Sequence, residues 1–210
     1  MADCLNNFNI RYNGNMKTYE TRKTNALLWV IISIFSAEVF GIVGYYWLAG
    51  GHFGDASLTI SKFVGLNLWS SIVFGLGNTF ITIMMLYYLS THARITNTLW
   101  HLLMIGFVGC FIILSIFPHL PDGSMVAQIH QLFAAVMFCL MALVGILSLA
   151  LSKQKTTTIL STLFVTFSIY FILSYIFKPD YFVQNIFWLE SAYLYSFFVI
   201  LISSNNKRLD

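Results

Sequence analysis

Six long apolar runs dominate the chain, at about residues 26–49, 64–89, 99–117, 126–151, 158–177 and 186–203. A helix that crosses a bilayer needs roughly 20 consecutive apolar residues, and these runs meet that length. They lack the period-two alternation of a membrane β-barrel, and a continuous helix satisfies its own backbone polar groups in hydrocarbon. Charge supports the same class: only 9% of the 210 residues are charged, where soluble domains carry about 25%. Such a chain cannot clothe a surface that faces water. With 58% hydrophobic residues and 3 cysteines, disordered and disulfide-stapled classes are excluded too. The expected fold is all-α: an integral membrane bundle of six transmembrane helices.

Loop charge sets the orientation. Arg11, Lys17, Arg22, Lys23, Arg94, Lys153, Lys155, Lys207 and Arg208 fall on one side, and Lys62 and Lys178 on the other. Basic loops stay in the cytoplasm, so both termini are expected inside, in a plasma or inner membrane. The net charge of +3 then reflects sidedness, with basic termini near anionic headgroups; nothing else points to nucleic acid. Aromatic residues fall at the same boundaries. Trp29, Tyr87, Tyr88 and Trp100 lie at inner ends, and Tyr46, Trp47, Trp69, Tyr181 and Trp188 at outer ends, as interfacial belts require.

The connections are short: Gly50–Phe63, Pro118–Met125 and Lys178–Asn185 outside, Ser90–Thr98 and Ser152–Thr157 inside. None can fold alone, so the division is a polar cytoplasmic arm (1–24), a six-helix domain (25–204) and a short basic tail (205–210). The arm has no apolar core or small-residue cleavage site of a signal peptide, which leaves the first span as an uncleaved insertion signal. Cys4, Cys110 and Cys139 form no CxxC pair and read as small apolar residues.

Polar side chains inside spans carry the functional information, because each needs a partner or a water-filled cavity. Glu38 lies roughly 18 Å into the first helix at helical rise, near mid-membrane. Asn78 reaches a comparable depth from the other side, in a stripe with Asn67, Ser71 and Thr82 that spans roughly 60° of the second helix. Glu38 and Asn78 are therefore expected as hydrogen-bond partners in a central polar layer. Near the outer surface, Asn67, His119, Asp122, His130 and Glu190 could converge on an outward-opening pocket rimmed by Gln128, Gln131 and Gln184. His130 bonding Asp122 or Glu190, simply to tie a loop to the bundle, is the plainer reading. A zinc site would draw on His119, Asp122 and His130, since zinc takes N and O donors, but neither HExxH nor a paired-His spacing is present. No nucleotide or nucleophile-elbow motif appears. Ser161, Ser168 and Tyr175 recur every seven residues and read as a helix-contact face, while the Gly-x-Gly and Gly-x-x-Gly pairs read as close helix approaches.

The order of features between roughly residues 55 and 145 resembles one family. Ile60-Ser61-Lys62-Phe63-Val64-Gly65 follows the first span, Phe117-Pro118 with Pro121-Asp122 closes the third, and His130 with Phe133 and Phe138 opens the fourth. This is similar to the six-pass superfamily of the damage-regulated autophagy modulator and the GPI-anchor-remodelling membrane proteins, with its bacterial relatives of unknown function. Lys62 stands where that family usually has an acid, and the glycine is displaced by about a residue. The resemblance implies six helices, cytoplasmic termini and involvement with membrane lipids, and it draws attention to Ser61, Gly65, Asp122 and His130. Three functions follow as expectations. The first is a non-enzymatic protein that binds or organises membrane lipid, or supports a membrane partner, through the outer pocket. The second is a metal-dependent lipid hydrolase, and the third a proton-coupled transporter using Glu38. A membrane-protein partner or a homo-oligomer is left open.

Overall fold

The computed structural model describes residues 25–40, 60, 68–92, 98–117 and 124–205. Among these there are six helices and no strand: α1 (Asn25–Phe40), α2 (Leu68–His92), α3 (Thr98–Ile116), α4 (Met125–Leu151), α5 (Lys155–Phe177) and α6 (Asp180–Asn205). Five of them, α2 to α6, are long and apolar enough to cross a membrane. The first apolar run continues past Phe40 into residues outside those described, as do the terminal arm and tail.

Local sequence explains where the helices stop. Ser124 caps α4 by accepting from the Ala127 amide at 3.3 Å, relieving one unpaired N–H of the first turn. The break between α5 and α6 lies at Lys178-Pro179: a residue before proline is pushed out of the α region, and Lys178 adopts the left-handed conformation (φ 48°) that ends α5. Proline suits a helix start, so α6 begins at Asp180. The expected outer loop Lys178–Asn185 is thus corrected to a tight turn. What remains of it is a non-helical step at Asn185 (φ −121°, ψ 16°), where the side-chain amide donates to the Tyr181 carbonyl at 2.9 Å. The expected inner loop Ser152–Thr157 also shrinks, because α5 starts at Lys155. Thr157 then donates to the Ser203 carbonyl (3.2 Å) and accepts from the Ser203 hydroxyl (2.9 Å), tying the start of α5 to the end of α6.

Consecutive helices from α2 to α6 pack as neighbours, and α4 also meets α6. Helix α1 closes the bundle against α2, where a Cβ on Gly77 would stand 3.0 Å from that of Ala37; only glycine lets the backbones come this near. Large apolar side chains remain exposed on every helix, among them Phe35, Leu76, Leu102, Leu132, Leu163 and Val199. A surface this apolar on all sides suits lipid rather than water. Trp29, Tyr87, Tyr181 and Trp188 are exposed near helix ends, as belt residues should be. Tyr88 and Trp100 are not: both are buried, ring edge to ring face at 6.2 Å between α2 and α3, so at these positions an aromatic residue near an end serves packing.

Helix α6 is the central wall. One face turns Tyr193 and Phe197 into an aromatic cluster with α4 and α5. Tyr193 stacks on Phe171 (4.8 Å, 2°) and Phe164 (5.0 Å, 15°), and meets Phe138 and Phe167 edge-on, each at 5.7 Å. Its hydroxyl donates to Ser168 Oγ at 2.9 Å and lies 3.2 Å from the Phe138 carbonyl. The seven-residue repeat of α5 does face inward, with Ser161 and Ser168 buried and Tyr175 half-buried.

A candidate ligand cavity

The other face of α6 borders a cavity of about 670 Å³ to which all six helices contribute. It runs from Lys178, in the α5–α6 turn, to Phe198 in the second half of α6. Its walls are largely apolar, with Ile34, Phe74, Ile81, Leu114 and Met137 among them; among the described residues the polar side chains on it are Glu38, Asn78, Ser115, His130, Gln131, Tyr175, Lys178 and Glu190. Cavities of about 300–1,000 Å³ with apolar walls and a few placed polar groups are the usual form of small-molecule sites.

Glu38 reaches the cavity because it shares the inward stripe of α1. Leu27, Val30, Ile34, Ala37 and Glu38 are all buried and recur at three- and four-residue steps, which keeps them on one helix face. Its Oε2 accepts from the Tyr195 hydroxyl of α6 at 2.8 Å. Its Oε1 is buried and has no hydrogen-bond partner among the described residues. The expected Glu38–Asn78 pair is therefore corrected. Both side chains line the one cavity, but the carboxyl is held by Tyr195, because α1 is flanked by α6 as well as by α2.

Glu190 and His130 line the same cavity. Glu190 Oε2 accepts from the Ile60 backbone amide at 2.8 Å, so α6 grips the chain where the Ile60–Gly65 segment begins. His130 Nδ1 lies 2.6 Å from the Phe117 carbonyl. A carbonyl only accepts, which puts a proton on Nδ1. At this nitrogen His130 ties α4 to the end of α3, and Asp122, one of the two acids expected beside it, lies outside the described residues.

The outer pocket and the mid-membrane layer, read separately from sequence, share one chamber as far as Glu38, Asn78, His130 and Glu190 are concerned. Asn67, His119, Asp122, Ser61 and Gly65 lie outside the described residues. Of the zinc candidates only His130 is described, and among the described residues no three His, Cys, Asp or Glu side chains come together as a metal would need. Tyr195, Tyr175 and the Ile60 amide belong to the site and were missed from sequence. Tyrosine in a span reads as belt or packing, and a backbone donor from another segment leaves no sequence signal. Comparison with protein-family models, curated proteins and solved structures finds no match for this chain.

Proposed function

We propose that the chain is a non-enzymatic multi-pass membrane protein that takes a membrane amphiphile into the cavity between its helices. The observation that carries this reading is the cavity itself: a volume of about 670 Å³ lined by all six helices, with apolar walls and a few buried polar groups. An apolar ligand body finds the same environment there as in the bilayer, so selection falls to the polar groups. The resemblance to a lipid-associated six-pass superfamily points the same way. The nine-to-two bias of Lys and Arg supports cytoplasmic termini, and with them an outward-facing Lys178 end of the cavity.

Native mass spectrometry of the full chain released from its membrane tests the reading. Gly75 lines the cavity and has nothing within 4 Å of where a Cβ would stand, so Gly75→Trp places a large side chain at the cavity edge without a clash at its Cβ. A stoichiometric lipid-like adduct that Gly75→Trp removes is the expected result. An adduct indifferent to Gly75→Trp, or none, overturns it. A zinc mass lost on chelation and in His130→Ala also overturns it, in favour of the hydrolase.

A further inference from the structure

We infer that the ligand of this cavity is an acyl amphiphile whose head carries a hydrogen-bond donor and an acceptor side by side, a carboxamide or an un-ionised carboxyl, and that the Asn78 amide reads it. The inference rests on the reading of the cavity as a ligand chamber. Asn78 stands roughly 15 Å along α2 from its start, near the middle of that 25-residue helix. Phe74, Ile81 and Met85, at three- and four-residue steps around it, are all buried, so Asn78 shares the inward face of α2, and its side chain lines the cavity. The amide makes no hydrogen bond to the described residues. Unlike Glu38 Oε1, Ser148 Oγ and Ser161 Oγ, neither its oxygen nor its nitrogen is sealed from the surrounding space. An amide at that depth, with both halves unpaired, is costly unless something in the cavity serves it. The polar side chains that line the cavity from the flanking helices α1 and α3 are committed elsewhere: Glu38 accepts from Tyr195, and the Ser115 hydroxyl donates to the Phe111 carbonyl.

The shape of an amide selects the kind of head. Its nitrogen donates and its oxygen accepts, next to one another in one plane. A carboxamide or a protonated carboxyl presents the complementary pair and makes both bonds at once. An ammonium only donates, and an ester, carboxylate or phosphate only accepts, so each leaves half of Asn78 unpaired. An alcohol does both, but a single oxygen cannot meet the two edges at good angles. The match holds whichever position of the amide is oxygen, since both are open. The apolar walls, Phe74, Ile81, Leu114 and Met137 among them, accept the acyl chain, and a cavity of about 670 Å³ is sized for one drug-sized molecule.

The test gives tritiated dodecanamide to the full chain in phosphatidylcholine nanodiscs and counts bound probe above that of empty nanodiscs. Saturable binding at one equivalent is expected. Unlabelled dodecanoic acid should displace the probe at about pH 5 and lose that power at about pH 9, where its head no longer donates, while dodecanamide itself binds alike at both. Dodecylamine and methyl dodecanoate should displace it about tenfold less well or worse. Asn78→Leu, apolar and of similar size, should weaken dodecanamide by about tenfold or more. Should Asn78→Leu fail to fold, Asn78→Thr, which puts one hydroxyl in place of the pair, should bring dodecanamide down to the level of dodecanol. The exact mass of the co-purifying adduct then tells an amide from an acid. Unchanged binding in these variants, displacement by dodecylamine or methyl dodecanoate equal to that by dodecanamide, or no saturable binding overturns the inference. If Gly75→Trp still removes a co-purifying adduct in that case, the chamber stands and only the head group is wrong; if it does not, the chamber falls as well.

Discussion

Tyr193 and Tyr195 leave α6 two residues apart, about 200° around its axis, and enter different surroundings. Tyr193 is fully buried among four aromatic rings, and its hydroxyl meets Ser168 and the Phe138 carbonyl. Tyr195 is half-buried, and its hydroxyl holds one oxygen of a carboxyl whose other oxygen has no partner among the described residues. On the first face a buried polar group is enclosed by ring packing and its bonds complete a rigid knot. On the second, a more costly polar group is kept half-satisfied beside an empty volume. Stability alone does not retain an arrangement of the second kind, because an apolar pair of similar shape would fill the place at no loss. That contrast separates a face closed by ring packing from a face that borders the cavity.

The comparison can be broken, beginning with the largest expected effect. Tyr193→Ala should destabilise the protein by about 3–5 kcal/mol, as loss of a core aromatic ring does, read as thermal unfolding in detergent; a cost below about 1 kcal/mol would remove the knot from the account. Gly145→Ala comes next. A Cβ at Gly145 would lie 2.5 Å from the Phe164 ring, which is stacked on Tyr193 and cannot swing aside, so overpacking should cost about 1–3 kcal/mol in the same assay. Tyr193→Phe keeps the ring and should lose about 1 kcal/mol with the hydroxyl bond. Smallest is the double variant Glu38→Met with Tyr195→Phe, expected within about 1 kcal/mol of the parent or above it in the same assay. If that pair costs as much as Tyr193→Ala, the cavity face is structural and the contrast fails.

Much of the bundle was legible as sequence because hydrocarbon permits few solutions. A run such as 126–151 had to be a helix, and α4 spans Met125–Leu151. The apolar runs at 99–117 and 158–177 return as α3 and α5 with ends shifted by at most a few residues. The sharpest difference is at the start of α6: the apolar run 186–203 marks only part of the helix, whereas Pro179 and the conformation of Lys178 determine where it can begin. Glu38, Asn78, His130 and Glu190 could be picked out because each violates the apolar rule of its own span.

Their partners could not be picked out, and the reason is geometric. Helical periodicity says which residues share a face of one helix, but not which helix that face will meet. Glu38 was paired with Asn78 by depth, a quantity read along the chain; rotation and neighbour order gave it Tyr195 of α6. His130 Nδ1 meets the Phe117 carbonyl, a backbone group that every residue carries and that no sequence pattern marks. Composition and span length by themselves determined the class, the helices and the unusual polar positions. Tertiary structure decided that those positions share one cavity, and which hydroxyl holds Glu38, because both depend on how six similar apolar surfaces pack.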